Sequence, residues 1–538
     1  MNLKFGCIAA VISIAAFSAG CDGKVANDPC ENLLNLKLDN ARVTSVSNVS
    51  GGKKFSFFGM FVGAPFFQVP ASCRIAFEMT PVADSLIKAE LWLPREGWNG
   101  RFQTLGNGGL AGSVETLPML AVLRSGYAVA TSDTGHEAKN DDGRWALNHP
   151  EKIRDYGHRA VHETTVQAKQ LIKAYYGEGP KYSYFSSCSN GGRQGLMEAQ
   201  RYPEDYDAVL AGAPAINPSV GLLNWGWIQQ QLAKPGAYIS KDKIPAIAAA
   251  TLKACDASDG VTDGVIGEPQ TCKFDPKQLL CSGKETDECL TAPQVESLKA
   301  IYSGLDGKHL GFVPGAELGG DMGWENWFTG DGPGKAKQID FFEEYYRYLV
   351  SGDPSWSFKQ FNLEVNREQL YKHLHEMLDA DNPDLSRFAA RGGKLLMYHG
   401  WNDPALPAGV TIDYFDKVRE RMGKDEADKF VRLYMVPGLQ HCFAGPGANT
   451  FGQLIANGET DPAKSITTTM EAWVEQGRVP GTITAVKYDY SGPLKSLFVP
   501  ADKAHVVFTR TLCPYPQIAR WDGKGDVKEA SSFICTNP

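Results

Sequence analysis

From Ala89 onward the apolar positions fall into two alternating spacings. Short β-branched and aromatic runs, Ala89–Leu93, Arg101–Leu105, Tyr127–Thr131, Lys181–Ser186 and Asp207–Ala211, predict strands. Between them, His158–Tyr176 sets Val161, Thr165, Ala168, Leu171 and Ile172 roughly on one stripe and predicts a helix, with Gly192–Arg201 as the next. Strand–helix alternation of this kind predicts a largely parallel α/β sheet. The rhythm stops over about 216–385, a stretch richer in Gly, Trp and Asp that holds Cys255, Cys272, Cys281 and Cys289. It returns at Lys394–Tyr398 and Val431–Val436, so the simplest reading is a sheet domain, 21–215 with 386–538, interrupted by an inserted domain, 216–385. Residues 30–88 read as a β-rich N-terminal extension, and no internal repeat is evident.

The N-terminus changes the compartment. Lys4, the apolar stretch Phe5–Phe17 and the small residues Ser18, Ala19 and Gly20 read as an export signal over 1–20. Cys21 follows directly, as the lipidated cysteine does in bacterial lipoproteins, although Ser18 stands where Leu, Val or Ile is usual. Two readings stay open: lipidation of Cys21, with membrane anchoring at an outer membrane or cell surface, or plain cleavage after Ser18 or Gly20 into the periplasm or medium. With Cys7 in the signal and Cys21 lipidated, ten cysteines remain, an even number suited to five disulfides in an exported chain. No Cys-x-x-Cys pair supports zinc instead. The balance of 54 Lys+Arg against 62 Asp+Glu, with no basic run, excludes nucleic acid as the main partner.

The candidate chemistry sits at strand ends. Ser187-Cys188-Ser189-Asn190-Gly191-Gly192 lies where a strand gives way to a helix, the place where a sharp elbow presents a serine Oγ beside helix N–H groups. The usual Gly-x-Ser-x-Gly is broken at its first glycine by Ser187, and an ordinary Gly-rich turn is the plainer alternative. An acid, Asp403, follows the strand ending at Tyr398, and a histidine, His441, follows the strand ending at Val436, giving the order Ser…Asp…His of an α/β-hydrolase. Asp403 would orient His441, and His441 would take the serine proton. Asp403 as a turn former before Pro404, or His399 as the base, remain the alternatives. Cys188 and Cys442 flank the serine and the histidine, and a bridge between them would hold the two side chains within reach. Gly106-Asn107-Gly108-Gly109, after a strand, offers a second oxyanion donor, Gly109 or its neighbour Gly108, to pair with the N–H of Asn190. Asp256, Asp259 and Asp263 crowd one loop with no Lys or Arg, which read alone is a solvated acidic turn.

Cys188-Ser189-x-Gly-Gly, Tyr398-His399-Gly400-Trp401-Asn402-Asp403-Pro404 and Gly438-x-x-His441-Cys442 resemble the tannase and feruloyl esterase family, which includes mono(2-hydroxyethyl) terephthalate hydrolase. The resemblance runs over about Cys30–Cys535 and implies an α/β-hydrolase fold with a large inserted lid. It implies Ser189, Asp403 and His441 as the triad and the bridges Cys188–Cys442, Cys30–Cys73, Cys255–Cys272, Cys281–Cys289 and Cys513–Cys535. It also implies structural Ca²⁺ in the lid, held by Asp256, Asp259 and Asp263 with the carbonyls of Val261 and Val265. The expected substrate is a small aromatic ester, hydroxycinnamate (feruloyl) first, with gallate esters or mono(2-hydroxyethyl) terephthalate as the alternatives. A non-catalytic surface lipoprotein or an acyltransferase is the reading from a different class. Trp324, Trp327 and Phe328 are the candidates to stack on the acyl ring, and Arg347 is a candidate cation for a free carboxylate.

Overall fold

The computed structural model describes residues 28–55, 66–319, 322–453, 459, 461–489 and 504–538. The expected signal, 1–20, and Cys21 lie outside them. In chain order the strands are β1 (Ala41–Val49), β2 (Gly52–Phe55), β3 (Phe66–Val69), β4 (Ser72–Met79), β5 (Ile87–Pro94), β6 (Arg101–Leu105), β7 (Ala128–Ser132), β8 (Tyr182–Cys188), β9 (Ala208–Gly212), β10 (Lys394–Gly400) and β11 (Val431–Val436). Four more follow: β12 (Ile483–Tyr488), β13 (Val506–Leu512), β14 (Ile518–Trp521) and β15 (Phe533–Thr536). Nine of them form one sheet in the order β1-β4-β5-β7-β6-β8-β9-β10-β11. β2 with β3, β12 with β13 and β14 with β15 make separate two-stranded pairs.

From β7 to β11 every neighbouring pair is parallel, whereas β1, β4, β5 and β7 pair antiparallel. Burial follows that division. β7 and β9 are buried at all five positions, as strands covered on both faces are, while β5 alternates between buried and half-buried. The segment 30–88 is therefore no appended extension: β1 and β4 continue the main sheet at its antiparallel edge. β6 and β8 are neighbours although the chain turns outward to β7 on one side and to β9 on the other. Such a switch point leaves a crevice beyond the strand ends, where ligands bind.

Between β9 and β10 the chain forms helices Pro218–Leu232, Ile244–Cys255, Ala292–Ser303, Lys337–Tyr345 and Leu363–Leu378. They share a core containing Trp225, Trp324, Phe328, Phe342 and Trp356. Leu110, Trp145 and Tyr156 belong to the same core, so the segments after β6 and β7 are fused to the insertion. Each such buried side chain contributes about 1.5–3 kcal/mol against exposure, enough in sum to fix the insertion over the crevice.

Among the described residues five disulfides are present: Cys30–Cys73, Cys188–Cys442, Cys255–Cys272, Cys281–Cys289 and Cys513–Cys535. No helix among the described residues is long and apolar enough to cross a membrane.

Candidate active site

β8 ends at Cys188, and the helix Asn190–Arg201 begins one residue beyond Ser189. Ser189 takes φ 66° and ψ −127°, a conformation costly for any residue with a Cβ. The elbow is pinned: its N–H donates to Gly212 O at 3.0 Å, and its carbonyl accepts the N–H groups of Arg193 and Ala215, each at 3.1 Å. A Cβ on Gly191 would stand 1.9 Å from Ser187 Oγ. Gly191 thus vacates the space that the Ser187 side chain fills, which is how the turn accepts a serine in place of the first glycine of the usual motif.

Asp403 and His441 lie beyond the carboxyl ends of the parallel strands β10 and β11. His441 Nε2 is 2.8 Å from Ser189 Oγ, and its Nδ1 is 2.7 Å from Asp403 Oδ2. Nδ1–H donates to the carboxylate, which leaves the Nε2 lone pair facing the serine hydroxyl. Asp403 Oδ1 accepts the N–H groups of Ala405 at 2.8 Å and Leu406 at 2.9 Å. Burial alone would push the Asp403 carboxyl up, but the imidazoles of His441 and His399 outweigh it and hold the carboxyl well below the usual carboxylate range. The site therefore holds a buried negative charge ready to stabilise an imidazolium.

His399 does not face the serine. It is buried, with Nε2 3.1 Å from Asp403 Oδ2 and 3.3 Å from Leu406 O, and Nδ1 2.7 Å from Thr411 Oγ1. His136, also on a strand-end loop, is buried with Nε2 2.8 Å from Leu110 O and its ring stacked on Trp145 at 3.7 Å. Asn402 is a residue that motif reading passed over. Its Oδ1 accepts the Gly438 N–H at 3.1 Å and its Nδ2 donates to Gly315 O, so it ties the acid loop to the histidine loop and to the insertion.

The bridge Cys188–Cys442 links the residue before Ser189 to the residue after His441, across a sequence separation of 254. Gly108 and Gly109 line the cavity in front of Ser189, and among the described residues neither N–H has a partner. Asn190 is the first residue of its helix, so its N–H has no acceptor within that helix. These are the groups available to a developing oxyanion. The cavity has a volume of about 610 Å³ and is walled by Trp327, Phe341 and Phe443 as well as Ser189 and His441.

Residues 73–536 match the family model described as tannase and feruloyl esterase. The chain belongs to the tannase and feruloyl esterase family. It is 36% identical to an uncharacterized esterase of Xanthomonas campestris pv. campestris, over 98% of this chain and 94% of that one. It is 32% identical to feruloyl esterase B of Aspergillus niger, over 98% of this chain and 99% of that one. The crystal structure of feruloyl esterase B from Aspergillus oryzae superposes with a TM-score of 0.82 at 28% identity, covering 94% of this chain and 99% of that one. The fold is an α/β-hydrolase with a large insertion, and the protein is a carboxylic ester hydrolase.

Within this esterase, three of the residues expected around the acyl group need correction. Trp324 and Phe328 are each 1% exposed and belong to the core of the insertion, so they face no ligand. Arg347 donates to Glu343 Oε2 at 2.6 Å and to Trp356 O at 2.6 Å and does not line the cavity. Trp327 does line it, with its ring 6.3 Å from that of His441 at 64°. Among the described residues, the lysine on the cavity wall is Lys337. No local signal distinguished it from the other lysines of the insertion.

The acidic loop of the esterase turns back on itself. Asp256 accepts the Gly264 N–H at 3.0 Å, Asp259 the Val261 N–H at 3.0 Å and Asp263 the Val265 N–H at 3.1 Å. Asp263 also pairs with Arg510. Burial pushes the Asp259 carboxyl up to about 6, against the Val261 N–H and with the help of Asp263. Asp256 is buried and Asp259 half-buried, and the carboxylates of this loop are the oxygen donors that a hard divalent cation such as Ca²⁺ takes, with the charge of Asp263 already compensated by Arg510.

Proposed function

We propose that this esterase is exported and cleaves esters of aromatic acids, hydroxycinnamate (feruloyl) esters first, through an acyl-enzyme on Ser189. The observation that carries the reading is the unbroken relay from Ser189 Oγ to His441 Nε2 at 2.8 Å and from His441 Nδ1 to Asp403 at 2.7 Å, opening on a ring-walled cavity. Ser189 Oγ attacks the ester carbonyl while His441 takes its proton, and Asp403 stabilises the imidazolium. The N–H groups of Asn190 and of Gly109 or Gly108 receive the oxyanion. His441 returns the proton to the leaving alcohol, then activates a water that releases the acid.

Kinship to proteins named feruloyl esterase B supports the feruloyl half of this reading, as do aromatic walls suited to a planar acid. On the loop 256–265, Asp256, Asp259 and Asp263 with the carbonyls of Val261 and Val265 would hold Ca²⁺, whose positive charge would brace the insertion. Five disulfides suit an oxidising compartment, in keeping with export through the 1–20 signal and with Cys21 as a lipid anchor.

The test is turnover of methyl ferulate, methyl gallate and mono(2-hydroxyethyl) terephthalate by the purified protein, with Ser189→Ala as control. Hydrolysis of methyl ferulate that disappears in the variant is the expected result. A faster rate on gallate or terephthalate would move the acyl specificity, and transfer to an added alcohol in preference to water would make it an acyltransferase. Binding without turnover would overturn the enzymatic reading.

A further inference from the structure

The cavity wall is ordered as a ladder. His441 at the reacting end meets Trp327 edge-on at 6.3 Å, Trp327 lies parallel to Phe341 at 5.9 Å, and Lys337 Nζ sits 5.1 Å from the Phe341 ring. Lys337 Nζ then pairs with Asp141 Oδ2 at 3.2 Å. A flat acyl group with its carbonyl at Ser189 would lie along these rings with its far substituent near the Lys337–Asp141 pair.

Asp141 is held in place by the loop that offers the oxyanion N–H groups. Leu110 N–H donates to Asn140 O at 2.8 Å, and a Cβ on Gly109 would stand 2.3 Å from that same oxygen, so only glycine permits the contact. Two residues on, Gly143 N–H donates to Glu344 Oε2 at 2.9 Å, docking the loop on the helix that carries Lys337. The two partners thus come from different parts of the chain and meet at one fixed place.

The charge balance at this place decides what it can take. Among the described residues lining the cavity, Lys337 is the lone lysine or arginine, and Glu115 lines the same cavity. Asp141 already neutralises the ammonium, and Asp340 stands one turn further along its helix. A carboxylate at the far end of the acyl group would find the Lys337 ammonium already compensated by Asp141, which follows the lining residue Asn140. A neutral phenol needs no free charge: its oxygen accepts from the Lys337 ammonium.

We propose that Lys337 and Asp141 form an acyl-specificity site that selects neutral hydroxyaryl acids and rejects monoesters of aromatic dicarboxylic acids. This rests on the esterase reading above and narrows it. Both side chains keep partial solvent contact, 27% for Lys337 and 45% for Asp141, so the discrimination is moderate.

The experiment measures kcat/KM of the full-length protein on methyl ferulate and on mono(2-hydroxyethyl) terephthalate, with 4-nitrophenyl acetate as a short-acyl ester. The native chain should favour ferulate by about 100-fold. Asp141→Asn frees the Lys337 charge and should raise the relative rate on the terephthalate monoester about 10-fold, and adding Lys337→Met should erase that gain. Equal preference for the two aromatic esters in the native chain, or a ratio that moves less than about 2-fold in Asp141→Asn, would overturn the proposed site and leave the esterase reading standing. Silence on all three esters would overturn both.

Discussion

His399 donates its Nε2–H to Asp403 Oδ2, the same carboxylate oxygen that receives Nδ1–H of His441. His399 is itself fixed, buried with Nδ1 against the Thr411 hydroxyl. In the proposed triad it stands behind the acid as a positioning residue. His399→Phe should therefore lower kcat about 10-fold with a smaller change in KM, because Asp403 loses one of its restraints. His399→Gln, which keeps an N–H donor, should recover part of the loss. Steady-state kinetics on the two variants would check this, and a His399→Phe enzyme with native kcat would exclude the role.

The depressed carboxyl of Asp403 has a stability consequence whose sign is fixed. In the unfolded chain the group protonates near its ordinary value of about 3.9, while in the folded protein it stays charged to lower pH. Its contribution is complete above that value and is lost as pH falls toward the folded pKa. Asp403→Asn should thus flatten the loss of stability below about pH 4, measured by urea denaturation at pH 3 and pH 7. The same variant should lose about 10³- to 10⁴-fold in kcat, since an amide no longer holds His441 in the reactive tautomer.

Trp327 and Phe328 are adjacent in sequence and opposite in role. Trp327 is on the cavity wall, and Phe328 is buried against Phe312 and Trp324. Phe328→Ala should cost about 3–5 kcal/mol of stability by leaving a cavity in the core of the insertion. Trp327→Ala, which removes a half-buried ring packed against Trp225, should lower the melting temperature less than Phe328→Ala does and raise KM for aromatic esters. Thermal melts and kinetics run together would separate the two, and a shift of Tm in both variants alike would contradict the assignment.

That pair also marks where sequence stopped being informative. Residues Glu325–Thr329 form a π-helical turn, whose pitch takes neighbouring side chains off the stripe that a 3.6-residue period predicts. The pocket face of the insertion was therefore illegible, and Lys337 gained meaning only when Asp141 came to it from the far side of the chain. β6 and β11 were legible to the residue: Val431–Val436 reads as a nearly continuous apolar run, and Arg101–Leu105 as a short run closed by Gly100 and Gly106. β1 was not, since only Val43 of its nine residues is buried and the rest of the strand is half-buried or exposed. Ser189, Asp403 and His441 stood out because each sits in a short local motif at a strand end. Asn402 did not, although it joins three segments, because its partners Gly315 and Gly438 are distant in sequence.

The proposed Ca²⁺ on the loop 256–265 predicts a stability effect with little effect on rate. Removing the ion with EGTA should lower Tm by about 2–4 °C, and added Ca²⁺ should restore it, since a bound ligand stabilises only the folded state. Asp256→Ala should show the lower Tm with or without Ca²⁺. Activity well below Tm should change little, because the loop contributes no residue to the cavity around Ser189. A Tm that ignores both EGTA and Ca²⁺ would return the loop to a solvated acidic turn.

The bridge Cys188–Cys442 should matter more for rate than for stability. Its sequence separation of 254 sets an entropic ceiling of about 5 kcal/mol for removing it. The true cost should fall below that ceiling, because the sheet already holds both ends: β8 pairs with β9, β9 with β10 and β10 with β11. What the sheet does not hold is the last step of the geometry. Ser189 and Cys442 both take positive φ, 66° and 68°, so the two loops meet in strained conformations with the disulfide directly between them. Releasing it lets the 2.8 Å contact between His441 Nε2 and Ser189 Oγ drift, and a misplacement of about 1 Å costs on the order of 10²-fold in rate. The double variant Cys188→Ala, Cys442→Ala should therefore stay folded, by circular dichroism and a cooperative melt, while kcat/KM on methyl ferulate falls about 100-fold. A double variant within about 2-fold of native activity would show that the sheet alone places the serine and the histidine.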